Sequence, residues 1–472
     1  MLLLLEYAAR LFSGPVEARY VFHKLLIANR GEIACRVARA ARALGVRTIA
    51  VYSDADERAL HVEQCDESVR LGPAPARESY LNAEKVIDAA KRTGAEAIHP
   101  GYGFLSEQAD FAQACAAAAL VFVGPPPGAM RAIKDKAQAR AVMRDAGVPV
   151  VPGSEGHVTA ELAIDEARVI GFPLLVKAAG GGGGIGMQVA NDEGELVKAV
   201  RACSDRARAS FGRDAVYLER YFPAPRHVEV QIIGDGRLTL HVGARECSIQ
   251  RRHQKIVEEA PAAAFELPAP RPAVRDSLLQ AGLTAARAVG YANAGTCEFL
   301  LVGDDVYFIE LNARLQVEHP VTEAVTGMDL VQLQIRIAAG EHLPFGQDDV
   351  KTRGHAIECR VNAEDPVKFF PSPGKLARFV TPVVADGRFH DGVRVDAGYR
   401  AGDTVTPFYD SLLAKLVVHG ATRAAAIARL RSALDAFVVE GVKTNLPLHR
   451  RIAASDAFAA AELDTRFLER LG

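Results

Sequence analysis

Residues 298–320 read EFLLVGDDVYFIELNARLQVEHP. The apolar runs CEFLLV and VYFIEL flank Gly303, Asp304 and Asp305, the pattern of a hairpin closed by a three-residue loop. With Val302 opposite Val306, Glu298 falls opposite Glu310. Opposed side chains have Cβ atoms about 4.5–5.5 Å apart, and two carboxylates so placed repel unless a cation lies between them. Magnesium takes a few hard oxygens and completes its shell with water and substrate phosphates, which suits Glu298, Glu310 and the amide of Asn312. An edge hairpin with two solvated acids would look the same at its tip. The remainder argues against that reading: Phe299, Leu301, Tyr307 and Ile309 make the opposite face apolar, and polar alternation continues through Asn312, Arg314, Gln316 and Glu318 with Ala313, Leu315 and Val317 behind.

The chain has 472 residues, 49% of them hydrophobic, enough to bury the cores of several domains. A net charge of -2 with both signs mixed supplies no basic field, which excludes polyanion binding or an anionic membrane surface as the main role. Its seven cysteines are scattered and form no CxxC pair, so neither a disulfide framework nor a zinc site is expected, and a reducing cytoplasm fits. The opening MLLLLEYAARLF is interrupted by Glu6 and Arg10 and lacks a basic leader; residues 1–21 read as an appended or misassigned extension rather than a signal peptide. No apolar run is long enough to span a bilayer.

From Lys24 the chain alternates strand and helix: KLLIAN, a helix from about Gly31 to Leu44 with Ile33, Val37, Ala40 and Leu44 on one face, then VRTIAVYS. AEAIHP and ALVFVGP read as further parallel strands, giving a doubly wound first domain over residues 22–134. Its loops His99–Glu107 (HPGYGFLSE) and Gly124–Gly128 (GPPPG) follow strand ends, where such sheets bind ligands. A helix from Asp135 to Ala146 leads through VPVVPGSEG into an α+β domain of mostly antiparallel strands, with helices near Ser277–Val289 and Leu330–Ala339. After a further break, HAIECRVNAED opens a third unit that ends with a helix from Arg423 to Phe437.

Gly180–Gly184, Ile185 and Gly186 formally match GxGxxG, but FPLLVK and MQVA on either side read as strands, which leaves a glycine-rich hairpin flap. Without Cβ atoms such a loop can bring several backbone N–H groups to phosphate oxygens. Lys177 and Lys136 are candidate phosphate partners. The stretch Arg245–Glu259, RECSIQRRHQKIVEE, gathers charge around His253 and Lys255; beside the hairpin acids it becomes a cationic wall for an anionic co-substrate. Arg314 and Glu318 offer a clamp and a base for a small oxyanion.

GGGGIGM, RECSIQRRHQK, ELNARLQVEHPVTE, ECRVNAEDP and IANRGEI together resemble biotin carboxylase, the ATP-grasp component of biotin-dependent carboxylases, from about Phe22 onward. The resemblance implies a nucleotide-fold N-terminal domain over 22–134, an ATP-grasp domain over 135–340 with a mobile lid at about 152–222, and an α+β C-terminal domain over 354–465. It implies that ATP is bound by Lys136, Lys177, the lid glycines Gly183 and Gly184, the adenine-reading hinge Glu219, Arg220, Tyr221 and Phe222, and His227, Gln250 and His253. Glu298, Glu310 and Asn312 match magnesium (or manganese) ligands, Glu298 also lying near the nucleotide. Lys255, Arg314, Gln316 and Val317 match a bicarbonate pocket, Glu318 a general base, and Arg360 the residue that stabilises the biotin enolate.

The implied reaction is ATP-dependent carboxylation of carrier-bound biotin through carboxyphosphate, the first half-reaction of an acetyl-, propionyl- or methylcrotonyl-CoA carboxylase. A carboxyltransferase subunit would complete the enzyme. Two positions depart from the family pattern: Ile185 replaces an arginine in the lid, and Ala43 replaces a glutamate of the homodimer contact. No Met-Lys-Met biotin acceptor occurs, so the biotin carboxyl carrier is expected as another chain or domain. The alternatives are another ATP-grasp carboxylate ligase, against which EHP and ECRVNAED speak, and a catalytically silent carrier-binding subunit, which Ile185 alone suggests.

Overall fold

The computed structural model describes residues 21–159, 161–178, 187–211, 214–251 and 254–471. Gly183, Gly184, Ile185, His253 and nearly all of the N-terminal extension lie outside these residues.

The first sheet has five parallel strands in the spatial order Glu67–Gly72, Arg47–Ser53, Lys24–Ile27, Ala97–His99, Val121–Phe122. Strand side chains alternate faces. Leu25 and Ile27 accordingly enter one core with Ile33 and Val37 of the helix Gly31–Ala43, while Leu26 enters the other with Ile49, Val51 and Val86. The central strand has neighbours on both sides, so the loops after Ile27 and after His99 diverge and open a crevice. Asn29 ties them together, donating from Nδ2 to the carbonyls of Pro100 and Tyr102 at 2.7 Å each. Gly101, at φ +63°, is the point of closest approach; a Cβ there would stand 2.8 Å from the Asn29 amide.

The second sheet crosses from the expected central domain into the third unit. Eight antiparallel strands run in the order Asp305–Asn312, Asn293–Val302, Arg226–Gly234, Thr239–Arg251, Gln254–Ala260, His355–Asn362, Leu412–Gly420, Val393–Ala397. The third unit contributes its main strands to this sheet: His355–Asn362 pairs with Gln254–Ala260 and continues it, while two small two-stranded sheets, Gly374–Lys375 with Thr404–Val405 and Arg378–Val380 with Val438–Glu440, stand apart. The helix Pro272–Ala288 covers one end of this sheet, Arg423–Ala436 the other, and His319–Thr326 packs on the opposite face against Ala260, Ala356 and Val417.

A smaller three-stranded antiparallel sheet, Gln188–Ala190, Leu174–Ala178, Val216–Arg220, packs on the helices Ala163–Ile170 and Glu193–Phe211 through its own core of Leu174, Val176, Leu196, Val200 and Leu218. The segments flanking the glycines are thus antiparallel hairpin arms, as expected, and not a strand–helix turn. No helix among the described residues is long and apolar enough to cross a membrane.

The hairpin quoted at the outset closes differently from its reading. Val302 pairs with Asp305 and Leu301 with Val306, so the loop is shorter by one residue, and a bulge between the Phe299/Phe308 and Glu298/Glu310 pairs restores the opposition of the two glutamates. The apolar face consequently consists of Phe299, Leu301, Val306 and Phe308, whereas Tyr307 and Ile309 are only half-buried. The extra residue lets one strand turn valine and phenylalanine inward at its start and carboxylate and amide toward the site at its end.

Candidate active site

A cavity of about 580 Å³ opens between the first domain and the eight-stranded sheet. Glu298, Glu310, Asn312, Arg314 and Gln316 line it from the hairpin, Lys255 and His227 from neighbouring strands, Arg360 from the continued sheet, and Tyr102 and Glu107 from the loop after His99. The loop Gly124–Gly128 does not line it.

Lys255 is the centre of charge. Its Nζ lies 2.5 Å from Glu229, 2.8 Å from Glu298 and 2.7 Å from Glu318. Burial opposes the lysine charge, but the three carboxylates overcome it and hold the ammonium well above its ordinary range. Glu318 is wholly buried; burial opposes its charge too, yet Lys255, Arg360 and Arg245 keep it a carboxylate below the usual range. Arg360 spans two acids, with Nη2 3.0 Å from Glu318 and Nε 2.6 Å from Glu258.

Glu298 accepts from Lys255, Asn312 at 2.9 Å and Gln316 at 2.8 Å through one oxygen, and its other oxygen is 3.2 Å from His227 Nε2. Burial works against its ionisation, and Lys255 and His227 reverse the balance, holding it well below the carboxylate range. Gln250 donates to Nδ1 of His227 at 2.8 Å, so these two residues meet as expected. Arg314 donates to Gln316 Oε1 at 2.8 Å and Asn312 Oδ1 at 2.9 Å, and its Nε is 3.3 Å from Glu107.

Beyond the hairpin lies a second line of paired charges. Lys136, at the start of the helix Lys136–Asp145 that Asp135 caps, pairs with Glu310 at 2.8 Å. Burial acts against its charge, and Glu310, Glu219 and Glu298 raise it. Lys177 pairs closely with Glu219, which Arg140 also approaches at 3.2 Å. Of the remaining hinge residues, Arg220 and Tyr221 donate their backbone N–H to Pro152 and Pro173, and the Phe222 ring stacks on Tyr307 with centroids 5.3 Å apart.

Two expectations need correction. The regular strand ends at Asn312, and residues 313–318 form bends and a turn into the helix His319–Thr326, which Glu318 begins as its N-cap. Val317 does not sit behind the polar row: it lines the cavity, and its carbonyl accepts from Lys415 at 3.0 Å. The charge run Arg245–Glu259 is also not a bare cationic wall. Arg245 is fully buried, bound to Glu229, to Gln231 at 2.6 Å, to Thr322 at 3.0 Å and to Thr296 at 2.9 Å.

Glu229, Glu107 and Glu258 were not singled out from the sequence. A signal existed for the first: HVEVQI alternates Glu229 and Gln231 with Val228, Val230 and Ile232, the same polar row as the hairpin, and its strand pairs Glu229 directly with Glu298.

Two opposed carboxylates with an amide oxygen nearby, all facing one cavity beside two lysines, offer the kind of hard-oxygen donors that a magnesium–polyphosphate ligand would use. Adjoining it, Lys255, Arg314 and Arg360 converge with a buried carboxylate, a fit for a small oxyanion from which a proton is removed.

Comparison with known proteins agrees. Family models match as follows: biotin carboxylase N-terminal domain over residues 21–130, carbamoyl-phosphate synthase L chain ATP-binding domain over 135–345, and biotin carboxylase C-terminal domain over 358–470. The chain is 48% identical over 453 residues to biotin carboxylase of Pseudomonas aeruginosa, covering 95% of this chain and 98% of that one. It is 50% identical over 452 residues to the mitochondrial methylcrotonoyl-CoA carboxylase subunit alpha of Oryza sativa, of which it spans 60%. Among solved structures, a biotin carboxylase–beta-gamma-ATP complex from Campylobacter jejuni superposes with a TM-score of 0.90 at 44% identity, covering 95% of this chain and 99% of that one. The biotin carboxylase domain dimer of Hydrogenobacter thermophilus 2-oxoglutarate carboxylase, holding MgADP and bicarbonate, gives 0.89 at 44% identity, covering 96% and 98%.

Proposed function

The chain belongs to the biotin carboxylase family, and on that premise we propose how its residues carboxylate a carrier-bound biotin with bicarbonate and ATP. The observation that carries the reading is Glu318, wholly buried yet ionised, clamped by Lys255 at 2.7 Å and Arg360 at 3.0 Å next to the paired glutamates of the hairpin.

Glu298, Glu310 and Asn312 would hold a magnesium ion, which supplies neutralisation of phosphate charge when bound. Lys136 and Lys177 face the same phosphates, and Glu219 to Phe222 with His227 and Gln250 frame the nucleotide. Bicarbonate enters among Lys255, Arg314, Gln316 and Val317. In the resting site the cations that hold Glu318 down make it a poor base. An entering bicarbonate competes for Lys255, so Glu318 regains basicity at the moment its substrate arrives.

Glu318 then takes the bicarbonate proton, and the freed oxygen attacks the γ-phosphorus as ADP leaves. The resulting carboxyphosphate divides into CO2 and phosphate, the phosphate removes the N1′ proton of biotin, and Arg360 holds the enolate that attacks CO2. A carrier chain or domain presents the biotin, and a carboxyltransferase partner accepts the carboxyl group. The acyl-CoA used afterwards is chosen by that partner.

The test is ATP hydrolysis by the purified chain with and without bicarbonate and free biotin, beside Glu318→Ala. Bicarbonate-dependent, biotin-stimulated turnover that drops by about 10²–10⁴-fold in the variant is expected. Hydrolysis indifferent to bicarbonate would point to another carboxylate ligase, and absent turnover to a silent subunit.

A further inference from the structure

Behind Arg360 the sheet buries two acids that the reaction above does not use. Glu258 and Glu358 are direct cross-strand partners, both wholly shielded from solvent. They share the sheet face of Ala260 and Ala356, which the helix His319–Thr326 covers. Glu258 gives one oxygen to Arg360; its other oxygen and both oxygens of Glu358 have no hydrogen-bond partner. Two ionised carboxylates directly opposed in such a place would repel at low dielectric, whereas one proton between them satisfies an oxygen of each.

We propose that Glu258 and Glu358 hold one proton between them, and that the singly charged pair makes Glu258 the positioning residue that keeps Arg360 aimed at biotin when Glu318 takes up its proton. At that step Arg360 loses the charge on one of its two partners, and Glu258 alone anchors the guanidinium. The proposal rests on Arg360 being the group that meets biotin.

The charged groups facing the pair are Arg360 from the same strand, Lys415 from Leu412–Gly420, Lys255 from Gln254–Ala260 and Glu318 from the head of the covering helix. The nearby thiols of Cys247 and Cys359 are kept protonated by burial. Burial, reinforced by Glu318, pushes the Glu258 carboxyl up to about 7 against the pull of Arg360. Burial and its acidic neighbours raise Glu358 well above the carboxylate range. The pair titrates as a unit.

The full chain is assayed with free biotin as pH rises from about 6 to about 9. Wild type should lose biotin-stimulated rate on the alkaline side as the shared proton leaves. Glu358→Gln, whose amide donates permanently, should lose proportionally less. Glu258→Gln should raise the KM for biotin and lower the biotin-stimulated kcat by about tenfold or more, with the KM for ATP moving by less than about twofold. A pH-difference infrared spectrum should show a protonated carboxyl near neutral pH that is missing from Glu358→Gln; this reading stands even where Glu258→Gln fails to fold. Alkaline limbs identical in wild type and Glu358→Gln, equal effects on the two KM values, or no such band would overturn the proposal. Biotin stimulation surviving in Arg360→Ala would instead overturn the role of Arg360 on which it rests.

Discussion

Nζ of Lys255 lies 2.7 Å from Oε1 of Glu318, across 63 residues of chain. The lysine also neutralises Glu229 and Glu298, so its removal leaves three buried carboxylates short of a cation. Lys255→Met should destabilise the fold by about 3–5 kcal/mol, read from urea unfolding. It should also abolish bicarbonate-dependent ATP cleavage. Unfolding at the wild-type urea concentration would show that the three acids do not depend on it.

Glu310 meets Lys136 at 2.8 Å and stands opposite Glu298. Glu310→Gln removes one hard anionic oxygen while keeping the shape. The magnesium concentration for half-maximal ATP cleavage should rise by about tenfold or more, with the bicarbonate KM little affected. An unchanged metal requirement would remove Glu310 from the metal site.

Arg314 divides its guanidinium between Gln316 and Asn312 and also reaches Glu107. A lysine keeps the charge but not the planar fork. In Arg314→Lys the KM for bicarbonate is expected to rise by about tenfold while the KM for ATP stays within about twofold. The opposite split would assign Arg314 to the nucleotide.

Glu259, buried between His355 at 2.7 Å and Arg423 at 2.7 Å, is held ionised against burial, its carboxyl lowered to about 2. A carboxylate lowered in the folded state stabilises it above the unfolded pKa of about 4.3, and that contribution disappears as pH falls through about 2. Glu259→Gln should therefore be less stable at neutral pH, by on the order of 3 kcal/mol. Its stability should fall less steeply with acid between those limits. Parallel acid-unfolding curves for the two proteins would contradict this.

Much of the site was legible because it lies along one alternating row: Glu298, Glu310 and Asn312 share a face, and period-two side chains reveal that face directly. The bulge that keeps them aligned was not legible. Tyr307 and Ile309 are apolar enough to pass for core, and only the pairing of Val302 with Asp305 reveals the extra residue. The parallel first sheet followed from its strand–helix alternation, whereas the joining of two expected domains by one sheet did not. That joint is a pairing between Gln254–Ala260 and His355–Asn362, distant in sequence and carrying no turn signal. Glu258 and Glu358 escaped for a related reason: in VEEAP and IECRV they look like solvent-facing acids, and only the cross-strand register buries them together.

One continuous sheet, bulged within several of its pairings, runs from the hairpin acids to the strand that bears Arg360. The Glu298/Glu310 pair and Arg360 are therefore carried on one plate. Cutting the chain after Phe345 would strip the plate of its continuation and bare the edge of Gln254–Ala260, whose free N–H and C=O groups would recruit other chains. In the whole chain that edge is covered by the strand that bears Arg360.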